Sequence, residues 1–250
     1  MNIKLDEILK PYIDKKLYPG IQWKINIGDK EYSGKTGYNN LETKKVINED
    51  AIYRIWSMTK PIIAIAAMQL VENKKIDLDD PITKFLPEFL DLKVMKNQNR
   101  EIDDVENLQT IPTIKNLLLH TAGFSYNFLS DPLGKYYDKI KLFNSTTTSL
   151  EEEVLMLSKA PLLFQPSSQW RYSVSMDVLA RIIEVIEKDD LQNILNDKIF
   201  IPLKMDNTNF CISKKSSGRL MKSYEFDPLH LKLTGHILDN QKIANYGYPL

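Results

Sequence analysis

The stretch Tyr53-Arg-Ile-Trp-Ser57-Met-Thr-Lys60-Pro61-Ile-Ile-Ala-Ile-Ala-Ala-Met-Gln-Leu-Val71 decides how the chain is read. Eleven residues from Pro61 to Val71 are apolar nearly all round, which predicts a buried core helix rather than a surface one. Proline at the start fits a first helical turn, where a missing N–H is harmless. Tyr53 to Trp56 reads as a short extended approach, and Ser57 stands where an N-cap or first-turn hydroxyl belongs. Ser57 and Lys60 are three residues apart, so they share a helix face about one turn from each other. If that turn is buried, the lysine can share the serine's proton, and a weak hydroxyl becomes a nucleophile. The alternative is a capping serine and a solvated lysine on a structural helix. A partner for the pair has to be found elsewhere in the chain.

Bulk properties narrow the choice. The chain has 250 residues, enough for a substantial core. Lys plus Arg equals Asp plus Glu at 33 each, and no basic stripe with interleaved aromatics occurs, so nucleic acid is not expected as a partner. The single cysteine, Cys211, excludes an internal disulfide and any cysteine-based metal site. His120, His230 and His236 show no zinc-binding spacing, so neither metal nor cofactor is expected. The N-terminal segment is amphipathic without a continuous apolar region, unlike a secretory signal. The apolar run 61–68 is too short to span a bilayer. A cytoplasmic globular protein is the expectation.

Working outward from the Ser57 helix, residues 3–17 have helical spacing and stop at Pro19-Gly20. Ile21 to Ile27 alternates apolar and polar residues, Gly28-Asp29 turns, and Glu31 to Tyr38 returns, which predicts a β-hairpin. Residues 91–110 are polar and read as an exposed loop. Thr113 caps a short helix to His120 that ends at Ala122-Gly123. A polar linker, Asn144 to Thr148, precedes a helix that starts at Ser149 with acids in its first turn. Pro161 to Trp170 reads as irregular, Met176 to Lys188 as a strongly amphipathic helix, and Leu191 to Phe200 as a shorter one. The tail 213–250 has little periodicity. One hairpin among many helices is unbalanced, because two strands alone are marginal. Further strands are therefore expected beyond Leu250.

Four segments in order carry a resemblance: Tyr53-Arg-Ile-Trp-Ser57-Met-Thr-Lys60-Pro61, Leu78-Asp-Asp-Pro-Ile82, Ile114-Lys-Asn-Leu-Leu-Leu-His120-Thr-Ala-Gly-Phe124 and Trp170-Arg-Tyr172-Ser-Val174. Together they resemble the serine β-lactamase-related superfamily, over roughly residues 5–212. Class C β-lactamases, family VIII carboxylesterases and D-alanyl-D-alanine carboxypeptidase-like hydrolases are the nearest members. The resemblance implies an α+β (α/β) fold, an antiparallel sheet flanked by helices with a mainly helical subdomain. It implies one such domain over 1–250, short of its last strands at the C-terminus.

It also implies chemistry. Ser57 would be the acylated nucleophile, Lys60 would assist proton transfer, and Tyr172 would be the phenolic partner that hands the proton to the leaving group. Lysine and tyrosine both hold their protons at neutral pH when free, so the two must act as a coupled unit, and sequence does not say which is the kinetic base. His120 is expected to be structural. The third residue of the family's Y-x-N motif is Val174 here, at a position that helps bind the acyl side-chain amide in lactamase-like members. Valine cannot hydrogen-bond, which favours a small ester over a β-lactam or an acyl-D-Ala peptide.

Ser125-Tyr126-Asn127 has the letters of an S-x-N motif but follows a loop that looks structural, and it ranks well below Tyr172. Lys35-Thr36-Gly37 has the letters of the family's K-T-G strand but precedes Ser57, so it reads as a decoy. Thr234-Gly235-His236 comes too soon after Tyr172. No third motif is found, and its oxyanion donor would be worth about 100- to 1000-fold in rate. The leading expectation is a serine hydrolase of small esters or amides, here the N-terminal part of a longer enzyme. Two others stand beside it: a β-lactamase or D-Ala-peptide hydrolase, and an inactive binding or structural relative or truncated pseudoenzyme. An α/β-hydrolase is disfavoured, since no G-x-S-x-G elbow occurs.

Overall fold

The computed structural model describes residues 4–143, 148–227, 229 and 232–237. Contacts among the described residues group into two compact units, one drawn from those up to Arg54 and from Cys211 on, the other from those between Ile55 and Phe210.

The first unit opens with helix α1 (Leu5–Asp14), which packs on strand β2. Strands β1 (Gly20–Ile27) and β2 (Lys30–Asn40) form the expected hairpin, closing tightly with Ile27 opposite Lys30. A two-residue strand, β3 (Lys45–Val46), extends this sheet in the order β1-β2-β3. The Trp23 indole N–H donates to Asp6 Oδ1 at 2.6 Å and ties α1 to the sheet.

The second unit carries most of the buried apolar side chains. Helix α2 (Thr59–Glu72) buries Ile63, Ala66, Ala67 and Leu70, while Ile65 and Met68 are 51% and 45% exposed. Its apolar surface is thus wider than its buried face. The approach to α2 also differs from expectation. Trp56 takes φ +46°, and residues Trp56–Met58 form a 3-10 turn instead of an extended lead-in. A bulky aromatic with positive φ is a strained residue, at about 1–2 kcal/mol.

The polar stretch 91–110 holds a small hairpin, β4 (Lys93–Met95) with β5 (Val105–Asn107), where a plain loop was expected. Val94 and Met95 are the reason, since both are buried. Helix α3 (Ile114–Leu118) starts at Thr113, whose side chain forms a reciprocal capping box with Asn116. Helix α4 (Pro132–Lys139) was not foreseen; Asp131 caps it and Pro132 opens it. Helix α5 (Leu150–Leu157) has the Ser149–Glu152 capping box.

Helix α6 (Ser175–Glu187) is the axis of this unit. Its Val178, Leu179, Ile182 and Ile183 are all within 1% of full burial, and it packs against α2, α3, α5 and α7 (Leu191–Leu195). The segment 161–170 is irregular, as read from sequence.

Back in the first unit, β6 (Tyr224–Asp227) pairs antiparallel with β7 (Lys232–Ile237), so the tail contains strands that its weak periodicity hid. Leu41 N donates to Tyr224 Oη at 2.7 Å, a link between the two ends of the chain that make up this unit. Among the described residues no helix is long and apolar enough to cross a membrane.

Candidate active site

Ser57 sits in the turn before α2, and its side chain does not cap the helix; Met58 occupies the N-cap position without a side-chain bond. The hydroxyl is therefore left for other partners. Lys60, one turn on, is only 8% exposed, and its ammonium donates to Ser57 Oγ at 3.4 Å. Tyr172, on an irregular segment just before α6, donates its hydroxyl to Ser57 Oγ at 2.6 Å. The three residues expected to carry the chemistry thus meet at one oxygen. Ser57 itself is exposed, so an incoming carbonyl can reach it.

A fourth group joins them. Lys60 Nζ donates to the Tyr126 hydroxyl at 3.0 Å, shorter than its contact with Ser57. Ser125-Tyr126-Asn127, which ranks well below Tyr172 on its outer letters, supplies that group. Its middle residue is the one that reaches the site. Tyr126 is 5% exposed, and its ring lies 5.4 Å from that of Tyr172, tilted by 34°. Lys60 Nζ stands 4.9 Å from the Tyr172 ring centre and 5.4 Å from that of Tyr126, within range of a cation–π attraction to both. The signal in the sequence was a tyrosine following a glycine-ended helix, too common to stand out.

Burial pushes the Tyr126 phenol well above the ordinary tyrosine range, and the charge of Asp177, wholly buried in the first turn of α6, adds to the effect. Tyr126 therefore stays a neutral hydroxyl. It can fix the lysine but not take a proton from the serine. His120 follows α3 with φ +55°, and its ring lies 5.1 Å from that of Tyr172. Its Nδ1 is 3.2 Å from Ser173 Oγ, which in turn is 2.7 Å from Ser175 Oγ. Burial, helped by the Lys60 charge, lowers the imidazole from 6.5 to about 4, so it is neutral at pH 7. Gly123, three residues on, has φ +99°, and a Cβ there would run into the Phe164 carbonyl. That explains the glycine of the His120-Thr-Ala-Gly123 turn.

Val174 is 1% exposed and packs in the core at the N-terminus of α6. Its backbone N–H donates to the Ser125 carbonyl at 3.1 Å. Lys35-Thr36-Gly37 lies within β2, where Lys35 pairs with Glu49 at 2.6 Å. Thr234-Gly235-His236 lies in β7, and His230 falls outside the described residues. No group of three His, Cys, Asp or Glu side chains that could hold a metal ion occurs among the described residues.

A helical unit centred on α6, with a serine, a lysine one turn on and a tyrosine hydroxyl converging, defines the β-lactamase/transpeptidase-like fold class. The profile of the Beta-lactamase family matches residues 5–232, and the chain belongs to that family. Esterase EstB of Burkholderia gladioli is 33% identical over 186 residues, covering 73% of this chain and 44% of that protein. A lovastatin esterase of Penicillium rubens is 29% identical over 183 residues, covering 72% and 45%. Among solved structures, EstCE1, a hydrolase with promiscuous acyltransferase activity, superposes with a TM-score of 0.77 at 26% identity, covering 94% of this chain and 58% of its own. The chain spans about half the length of the curated relatives it matches.

Proposed function

We propose that the protein is a serine hydrolase that forms an acyl-enzyme on Ser57 and acts on small carboxylic esters. The observation that carries this reading is the convergence on Ser57 Oγ of the Tyr172 hydroxyl at 2.6 Å and the Lys60 ammonium at 3.4 Å. In the reactive form the coupled Tyr172–Lys60 unit has given up one proton to solvent, and it takes the Ser57 proton as Oγ attacks the ester carbonyl carbon. As the tetrahedral intermediate collapses, the C–O bond to the alcohol breaks and the same proton goes to the leaving alkoxide. A water then attacks the acyl carbon, its proton taken by that unit and returned to Ser57 Oγ.

The esterase names among relatives of 29–33% identity support the ester as substrate. The acyltransferase activity of EstCE1 fits the same intermediate, with an alcohol replacing water in the second step. Val174, where lactamase-like members use an amide, is buried in the core and does not decide between an ester and a lactam.

The test is the intact mass of the protein after a fluorophosphonate, beside Ser57→Ala. One adduct on the parent and none on the mutant is expected. A folded parent that takes no adduct, or an adduct that persists in Ser57→Ala, overturns the proposal.

A further inference from the structure

Tyr126 and Tyr172 both stand on irregular segments, where no ladder or helix fixes them. One carboxylate links the two segments. Asp131 Oδ1 accepts from Gly134 N at 2.8 Å and caps α4. Its Oδ2 has no part in the cap. That oxygen accepts from Ser125 Oγ at 2.7 Å and pairs with the Arg171 guanidinium. Ser125 is the residue before Tyr126, and Arg171 the residue before Tyr172. Two backbone bonds run alongside: Arg171 N to the His120 carbonyl at 2.9 Å, and Val174 N to the Ser125 carbonyl at 3.1 Å.

Ser125 is wholly buried, and the Asp131 side chain is 11% exposed. The carboxylate is shielded although its Arg171 partner is 36% exposed, and the buried Ser125 donor on the same oxygen helps to fix the geometry of the pair. A helix cap alone would use one oxygen and would not need a charge. We infer that Asp131 is a positioning residue that sets the distance between the Tyr126 and Tyr172 hydroxyls, and through them the placement of Lys60 and Ser57. Its kinetic consequence rests on the hydrolase reading above; its geometric consequence does not.

Asp131→Asn separates the two jobs. Asparagine is as good an N-cap as aspartate, so Oδ1 can still serve Gly134. The new amide cannot pair with Arg171. Arg171→Met breaks the same link from the other side, at a residue whose side chain is 36% exposed, and stands in should Asp131→Asn fail to fold. Turnover of p-nitrophenyl butyrate is read beside the resonances of tyrosine labelled with 13C at Cζ, assigned with Tyr126→Phe and Tyr172→Phe.

Each single variant is expected to lower kcat about 10- to 100-fold, as sub-ångström misplacement does, with KM little changed. The double variant loses no more than the worse single, because both break one link. The Tyr126 and Tyr172 resonances move together in each variant. Parent-like kcat with both resonances in place, or losses that multiply in the double variant, overturns the inference. If the parent itself turns over no ester, the hydrolase reading fails. Joint movement of the two resonances then still supports the clamp, and unmoved resonances still refute it.

Discussion

Tyr126 and Tyr172 lie with ring centres 5.4 Å apart, yet their hydroxyls serve opposite ends of the same serine–lysine turn. Tyr172 donates to Ser57 Oγ, whereas Tyr126 receives the Lys60 ammonium. Tyr126 is held neutral by burial and by the nearby Asp177 charge. Tyr172 is the tyrosine in contact with the serine oxygen. On the proposed mechanism, the two side chains of one chemical type divide into a fixed anchor and a proton carrier.

The division predicts unequal losses on removing each hydroxyl. Tyr172→Phe leaves Ser57 without its nearest proton partner and is expected to lower kcat/KM for a p-nitrophenyl ester by about 100- to 10,000-fold. Tyr126→Phe removes one acceptor of the buried lysine, which keeps its contact with Ser57. That variant is expected to lose about 1–3 kcal/mol of stability and a smaller part of its activity. Steady-state kinetics and urea unfolding of the two variants check this. Equal kinetic losses would refute the asymmetry.

Much of this architecture was legible because it is written locally. Thr113 and Ser149 each begin a helix with a reciprocal cap, and such caps need only residues three apart. The β1–β2 hairpin declares itself by alternation around Gly28. What escaped depends on distant partners. The β4–β5 hairpin has only Val94 and Met95 buried among polar residues, so no alternation is visible. Helix α4 has few apolar positions and a glycine at Gly134, leaving Asp131-Pro132 as its one start signal. Tyr126 is the sharpest case. Its meaning lies in a lysine 66 residues away, a contact made by packing and not by spacing.

The helix caps give a second prediction. Thr113→Ala removes the acceptor for Asn116 N and breaks the reciprocal box at the start of α3. The expected loss is about 1 kcal/mol, within a range of about 0.5–2. Urea midpoints of parent and variant at equal m-value measure it. A variant as stable as the parent would mean that tertiary packing of Ile114 and Leu117 alone sets this helix.

His120 makes stability depend on acid. Burial holds the folded imidazole near about 4, against 6.5 for a free one. Between those values the unfolded chain binds a proton that the folded chain does not. Stability from this group is therefore complete above pH 6.5 and falls as pH drops towards 4. His120→Gln, which cannot titrate, is expected to flatten that part of the profile while leaving a polar group opposite Ser173. Unfolding midpoints of parent and variant at pH 7 and pH 4.5 decide the matter. Parallel profiles would show that the imidazole is not held neutral.

Val174 supplies the last test, and its burial sets the direction. An asparagine there would restore the Y-x-N letters beside Tyr172. The side chain is 1% exposed and packs among apolar neighbours at the head of α6, so the new amide would be shut away from solvent. Burying an amide without partners costs about 1–3 kcal/mol in proteins. Val174→Asn is therefore expected to lower stability by that amount and to leave nitrocefin turnover no higher than in the parent. Ester turnover, measured beside it, should fall only as far as the α6 N-terminus shifts Tyr172. A stable variant that gains nitrocefin turnover would mean that the amide reaches the Ser57 site. The valine would then be what turns this chain away from lactams.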